Sequence, residues 1–220
     1  MRPAPDLSLY LVTDEELCAA AGHTVLETVT AAVDGGVTCV QLRAKSTDGA
    51  PFLQQVLAVA RAVGERVPVI VNDRVDVFLA ARQLGAPVAG VHVGQADLPA
   101  PVVRELIGED TYLGLSAATA TELRQAEVDG ACDHVGIGVV RATATKTDAP
   151  DALGVTGVGQ AARSTHLPAV AIGGIGPQDM APLARQGLAG AAVVSAICCA
   201  ADPQQAAAQL HQAWEEGKQV

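Results

Sequence analysis

Gln41, Arg43 and Lys45 occupy alternate positions of one short run, Val40-Gln41-Leu42-Arg43-Ala44-Lys45. In a β-strand alternate side chains share a face, so these three polar tips point one way while Val40, Leu42 and Ala44 point the other. Two cations and an amide on one face form an anion site: Arg forks onto phosphate oxygens and Lys adds a point charge. The plainer alternative is a solvated strand end.

Two acids follow. Asp73 stands just after the third apolar run, beside Asn72 and Arg74, and Asp97 lies in Gly94-Gln95-Ala96-Asp97-Leu98-Pro99 after the fourth. Hard carboxylate oxygens brought to one rim suit Mg²⁺, which takes one or two protein carboxylates and fills its shell with water and substrate phosphates. Each acid alone also has a capping role open to it, Asp73 on the helix that follows and Asp97 on a helix starting near Pro99. Later in the chain, Gly173-Gly174-Ile175-Gly176 follows the seventh run and Val194-Ser195 closes the eighth. Backbone N–H groups at such turns cradle phosphate, and glycine removes the Cβ that would block close approach. Thr143-Ala144-Thr145-Lys146 adds two hydroxyls and a cation within an irregular stretch, residues 141–154. A loop of that length in a compact domain is usually a lid or binding loop. Ser116, after the fifth run, offers one more hydroxyl, or a helix cap. The chemistry is phosphate binding and diphosphate activation, since no nucleophile elbow, P-loop or Cys/His pair is present.

Such scattered groups need a scaffold that gathers them. Apolar runs at residues 7–12, 37–42, 67–71, 88–93, 111–115, 134–138, 168–172 and 191–194 read as parallel strands buried on both faces. Helical stripes fall between them: Leu26, Val29 and Val33; Leu53, Val56, Leu57 and Ala60; Val75, Phe78 and Leu79; and, more weakly, Leu123, Ala126 and Glu127. Leu210 and Trp214 anchor a last helix. Eight strand–helix alternations without a composition break predict one (β/α)8 TIM barrel, with residues 1–6 as a tail. Thr13-Asp14-Glu15 stands where an open dinucleotide-binding sheet would carry its glycine fingerprint. In a barrel, all strand ends open onto one mouth.

Composition narrows the partners. The formal net charge of −10 leaves no broad basic field for nucleic acid or an anionic membrane. Residues 189–201 form the longest small-apolar run and are too short to span a bilayer; no secretory signal is visible. Five Cys in apolar surroundings without a CxxC pair fit reduced core thiols and a cytoplasmic protein. Of the five His, none has metal-ligand spacing; His92 and His134 fall within strands and read as hydrogen-bonded core imidazoles. Small molecules are the expected partners, and self-association is left open.

These motifs resemble the thiamine phosphate synthase (thiamin-phosphate pyrophosphorylase) family. The matching segments are Tyr10-Leu11-Val12-Thr13-Asp14, Gln41-Leu42-Arg43-Ala44-Lys45, Val71-Asn72-Asp73-Arg74-Val75-Asp76, Gly90-Val91-His92-Val93-Gly94-Gln95-Ala96-Asp97-Leu98-Pro99, Thr143-Ala144-Thr145-Lys146, Ala171-Ile172-Gly173-Gly174-Ile175 and Val193-Val194-Ser195-Ala196-Ile197, in the family's order. The resemblance implies a barrel enzyme, a transferase, that uses Mg²⁺ to join 4-amino-5-hydroxymethyl-2-methylpyrimidine diphosphate to a thiazole phosphate or its carboxylated form. Thiamine phosphate and diphosphate would be released. It implies that Gln41, Arg43, Lys45, Asn72, Ser116 and Lys146 hold the pyrimidine diphosphate, with Arg43, Lys45 and Lys146 as the catalytic cations. Asp73 and Asp97 would bind Mg²⁺, and Thr143, Thr145, Gly174, Val194 and Ser195 the thiazole phosphate. Two departures stand out. The family's Gly-Pro-x-Phe-x-Thr is here Gly138-Val139-Val140-Arg141-Ala142-Thr143, which leaves Arg141 either to contact a phosphate or to face water. The stretch between Asp73 and Asp97 is longer than usual, read as an extension of the third-strand helix near residues 82–88 and outside the site. The same fold also hosts thiazole tautomerases, and a non-catalytic barrel that binds thiamine precursors is the remaining alternative.

Overall fold

The computed structural model describes residues 4–44, 47–142 and 152–219. Its elements run in chain order: β1 (Leu9–Val12), α1 (Glu15–Ala20), α2 (Val25–Asp34), β2 (Cys39–Leu42), α3 (Gly49–Val63), β3 (Val69–Asn72), α4 (Val75–Gln83), β4 (Gly90–Val93) and α5 (Ala100–Ile107). The second half continues with β5 (Tyr112–Ser116), α6 (Ala120–Asp129), β6 (His134–Gly138), α7 (Gly154–Ala162), β7 (Ala169–Ile172), α8 (Pro177–Arg185), β8 (Gly190–Val193), α9 (Ser195–Cys198) and α10 (Pro203–Lys218). The eight strands close into a barrel in sequence order, and β8 pairs in parallel with β1 through Leu9–Ala191, Tyr10–Ala192 and Leu11–Val193. The fold is the expected (β/α)8 barrel.

Strand pleating explains how one chain builds two cores. Along β1, Leu9 and Leu11 join the larger apolar layer between sheet and helices, whereas Tyr10 and Val12 point inward and pack with Cys39, Ile70, Val170 and Ala192. The branched aliphatics of the outer layer compensate for the scarcity of aromatics. Several predicted strands begin earlier than the ladders do: Leu7 and Val37 are buried but precede the paired residues. Hydrophobicity reports burial, and burial continues into the turns entering each strand.

Helix starts are set by local hydrogen bonds. Thr24 and Thr119 form capping boxes with Glu27 and Glu122, while Asp14 and Asp202 cap α1 and α10. In α2 the buried stripe is Val25, Val29, Ala32 and Val33, and Leu26 is exposed, which shifts the predicted face by one residue. α10 packs on α8 and α2 through the fully buried Leu210 and Trp214. Two helices lie outside the eightfold alternation: α1 and α9, of 6 and 4 residues, are too short to show a period. The expected lengthening near residues 82–88 is not helical past Gln83; the chain turns at Gly85, and Arg82 donates to the Ile107 carbonyl at 2.6 Å. Four cysteines are buried thiols, but Cys199 is exposed, contrary to the uniform core placement expected. Among the described residues no helix is long and apolar enough to cross a membrane.

Candidate active site

The carboxyl ends of the strands open onto a cavity of about 640 Å³. On the β2 side, Gln41 is buried and donates from Nε2 to the Tyr10 hydroxyl at 3.0 Å. One residue beyond β2, the Arg43 N–H donates to Thr13 Oγ1 at 3.1 Å. Its guanidinium faces the cavity 3.9 Å from the Asp14 carboxylate. Asp14 also accepts from the Leu17 N–H, so the start of α1 fixes the acid that orients the arginine. The sequence motifs do not by themselves mark Tyr10 or Asp14 as site residues; inward alternation in the first strand and an acid just past its end are the only signals for them.

The two acids come together across neighbouring strands. Asp73 leaves β3 with φ of +59°, a left-handed conformation that is uncommon for a residue with a Cβ, and its N–H donates to the His92 carbonyl at 2.8 Å. Asp97 is steadied by the Gly94 N–H at 2.7 Å. Neither takes up the capping role open to it: the residues at the N-caps of α4 and α5 are Arg74 and Pro99. Burial and the adjacent Asp97 push the Asp73 carboxyl up to about 6, against the opposing pull of Asn72 and Arg43. Two hard carboxylates pressed together are a natural seat for a divalent cation. Among the described residues no cluster of three or more His, Cys, Asp or Glu side chains forms a closed cage. That donor set fits Mg²⁺, which keeps room for water and phosphate oxygens.

Ser116 is the last residue of β5 rather than part of the turn after it, and Thr119 caps the next helix instead. Its hydroxyl lies 3.0 Å from His92 Nε2, and its carbonyl accepts from Gln95 Nε2 at 2.7 Å, which ties the loop carrying Asp97 to β5. His134 is a core residue, but the expectation that it is hydrogen-bonded there does not hold. Both of its buried ring nitrogens lack a partner.

On the far side, Gly173 and Gly174 have φ of +99° and +65°, and Val194 and Ser195 lead into α9. The left-handed backbone at Gly174 needs glycine, and a Cβ there would come 2.8 Å from Arg141 Cβ. Arg141 is exposed, in line with the water-facing alternative, but its guanidinium is not left unpaired. It forms an ion pair with the buried Asp179 of α8, which also accepts from the Gly176 N–H at 3.0 Å. Although burial works to raise it, these two donors hold the Asp179 carboxyl below the usual range. A depressed carboxyl stabilises the fold above the usual carboxylate range, and that stabilisation is lost as pH falls through its folded value. Arg141→Ala is therefore expected to lower stability at neutral pH, the half-exposed guanidinium limiting the loss. Urea unfolding of the two proteins checks it: the difference should narrow in acid, and equal stabilities at pH 7 would refute the latch.

Gln41, Arg43, Asn72, Asp73, Asp97, Ser116, Gly174, Val194 and Ser195 all line this one cavity. Lys45, Thr143, Thr145 and Lys146 lie outside the described residues. The residues flanking the latter segment meet: the Leu153 and Gly154 N–H groups donate to the Val139 and Val140 carbonyls at 2.9 and 3.1 Å, and Val139 lines the cavity.

The thiamine monophosphate synthase family model matches residues 9–197. A thiamine-phosphate synthase of Xanthobacter autotrophicus is 45% identical over 210 residues, 94% of this chain and 96% of that protein. One of Psychrobacter sp. is 43% identical over 211 residues, 95% of this chain and 96% of that protein. The solved thiamine phosphate pyrophosphorylase of Pyrococcus furiosus superposes with a TM-score of 0.85 at 31% identity, covering 98% of both chains. A barrel of this order, with Arg43, Asp73 and Asp97 on one cavity, thus belongs to the thiamine monophosphate synthase family of transferases.

Proposed function

We propose that this chain joins 4-amino-5-hydroxymethyl-2-methylpyrimidine diphosphate to a thiazole phosphate, or its carboxylated form, and releases thiamine phosphate and diphosphate. One observation carries the reading: Arg43, Asp73 and Asp97 converge on one edge of a single cavity whose opposite edge is the Gly173–Gly174 turn and Val194–Ser195. Asp73 and Asp97 would hold Mg²⁺, which when bound neutralises charge on the departing diphosphate. Arg43, Lys45 and Lys146 bind the diphosphate oxygens, with Gln41, Asn72 and Ser116 holding the rest of that substrate. Arg43 is orientated beforehand by Thr13 and Asp14, so little reorganisation accompanies bond breaking. Loss of diphosphate leaves a methylene cation that the aminopyrimidine delocalises. Thr143, Thr145, Gly174, Val194 and Ser195 hold the thiazole by its phosphate with its nitrogen towards that carbon. The contribution of the chain is positioning and electrostatic stabilisation, so no general base is needed. An isomerase acting on the thiazole alone would have no use for the Arg43, Asp73 and Asp97 edge. Absence of disulfides among the five cysteines supports a cytoplasmic setting.

The purified protein incubated with both precursors and Mg²⁺ should form thiamine phosphate and diphosphate in equal amounts, and a parallel reaction with the metal chelated should form neither. No product with both precursors and Mg²⁺ would reject the reading.

A further inference from the structure

The cavity floor holds a polar group that the mechanism above does not use. His134 comes from β6 and is 2% exposed, yet it lines the cavity and neither ring nitrogen has a hydrogen-bond partner. Buried imidazoles are normally satisfied, because an unpaired donor or acceptor there forfeits its hydration. Its place is made by the neighbouring strands. Gly114 on β5 pairs in register with His92 on one side and His134 on the other. A Cβ at Gly114 would come 2.3 Å from His92 Nδ1 and 2.6 Å from His134 Nε2, so a side chain at this position would evict one of the rings. The His134 ring centroid lies 5.6 Å from that of His92 and 6.0 Å from that of Tyr10. Burial drives the His134 imidazole down to about 4, which keeps it neutral near pH 7 with one nitrogen free to accept.

A neutral acceptor on the cavity lining, set among the Tyr10 and His92 rings, suits a flat ligand that carries an N–H. Of the two substrates in the synthase reading, on which this inference rests, the pyrimidine has that chemistry in its exocyclic amine. The thiazole nitrogen must stay clear to attack. We propose that His134 is a positioning and specificity residue that accepts a hydrogen bond from the amine of the pyrimidine substrate. Through that bond it sets the ring's rotation within the cavity, so that the methylene carbon faces the thiazole side.

His134→Phe preserves a flat ring and removes the acceptor. The expected result is a KM for the pyrimidine diphosphate raised about tenfold, the size of one neutral hydrogen bond, with the KM for the thiazole phosphate within about twofold of wild type. A substrate lacking the amine separates recognition from its electronic effect on the cation, because that effect is common to both proteins and cancels in the cycle. The ratio of kcat/KM between amino and des-amino substrates should be about tenfold smaller in His134→Phe than in wild type, and His134→Gln, which retains an acceptor, should recover part of it. Should the Phe variant not fold, nitrogen-15 spectra of the wild-type protein decide: the His134 ring nitrogens should shift on adding the pyrimidine diphosphate and Mg²⁺ without thiazole phosphate. A folded His134→Phe with the wild-type ratio, or ring nitrogens that do not respond, overturns the proposal and leaves His134 a structural residue. A wild-type protein that makes no thiamine phosphate overturns the synthase reading and this inference with it. A productive wild type with an unchanged ratio in the variant overturns this inference alone.

Discussion

Asp73→Asn should lower kcat/KM by about 10³ while making the metal-free protein more stable. Loss of one carboxylate removes a hard ligand and the charge that draws Mg²⁺, and the catalytic contribution of such an ion is several kcal/mol. Stability moves the other way. The Asp73 carboxyl sits at about 6 in the folded chain, above its ordinary value of 3.8, so the folded state holds the proton more tightly than the unfolded state does. The contribution of this pair to stability therefore falls as pH rises from 3.8 to about 6 and stays low above that. Asn cannot ionise, and it tolerates the left-handed backbone that Asp73 adopts at φ +59°. The gain at neutral pH is about 1 kcal/mol, reduced from what the shift alone suggests because the carboxylate is partly in water. It should vanish in acid, where the wild-type carboxyl is already neutral. Thermal unfolding in a chelator measures the gain, and Mg²⁺ titration should raise the Tm of the wild type but not of the variant. A variant that still turns over with the wild-type Mg²⁺ dependence would remove Asp73 from the metal site. The same carboxyl predicts that Mg²⁺ binding by the wild type weakens as pH drops through about 6, because only the ionised form is a ligand.

Arg43→Ala is expected to cost about 10² to 10³ in kcat/KM, with kcat falling as well as KM rising. Charge builds on the diphosphate as its bond to carbon lengthens, so a cation fixed beside it matters more in the transition state than in the bound substrate. Arg43 is fixed in this sense: its backbone is held by Thr13 Oγ1, and Asp14, itself locked at the start of α1, lies 3.9 Å from the guanidinium. Arg43→Lys keeps the charge but loses the planar fork and should recover only part of the activity. Because Asp14 retains the Leu17 N–H, the Ala variant should still fold. Steady-state kinetics with each substrate varied in turn provide the check: the KM for thiazole phosphate should barely move. A kcat/KM equal to wild type would strip Arg43 of its assigned part.

Much of this architecture is legible in the residues because parallel barrels write a simple signal. Each strand is a short, largely apolar run covered on both faces, and polar residues at or just beyond its end face the mouth. That logic brings out Gln41, Arg43, Asp73 and Asp97 from the sequence alone. It works less well where one residue of phase decides the answer, as in α2, where Leu26 is exposed and Val25 buried. Short segments such as α1 and α9 escape it too, since fewer than two turns carry no period.

The order of types along the chain determined the barrel, its eightfold pairing and the family to which it belongs, for those follow from local periodicity and motifs that each span a few residues. What lies beside what was decided only by the tertiary structure. Asp14 beside Arg43, Arg141 on Asp179 thirty-eight residues away, and His134 left without a partner next to His92 all depend on closure of the sheet and on strand register. Sequence spacing cannot encode such neighbours, because register and side-chain direction are set by packing of the whole barrel rather than by any single strand.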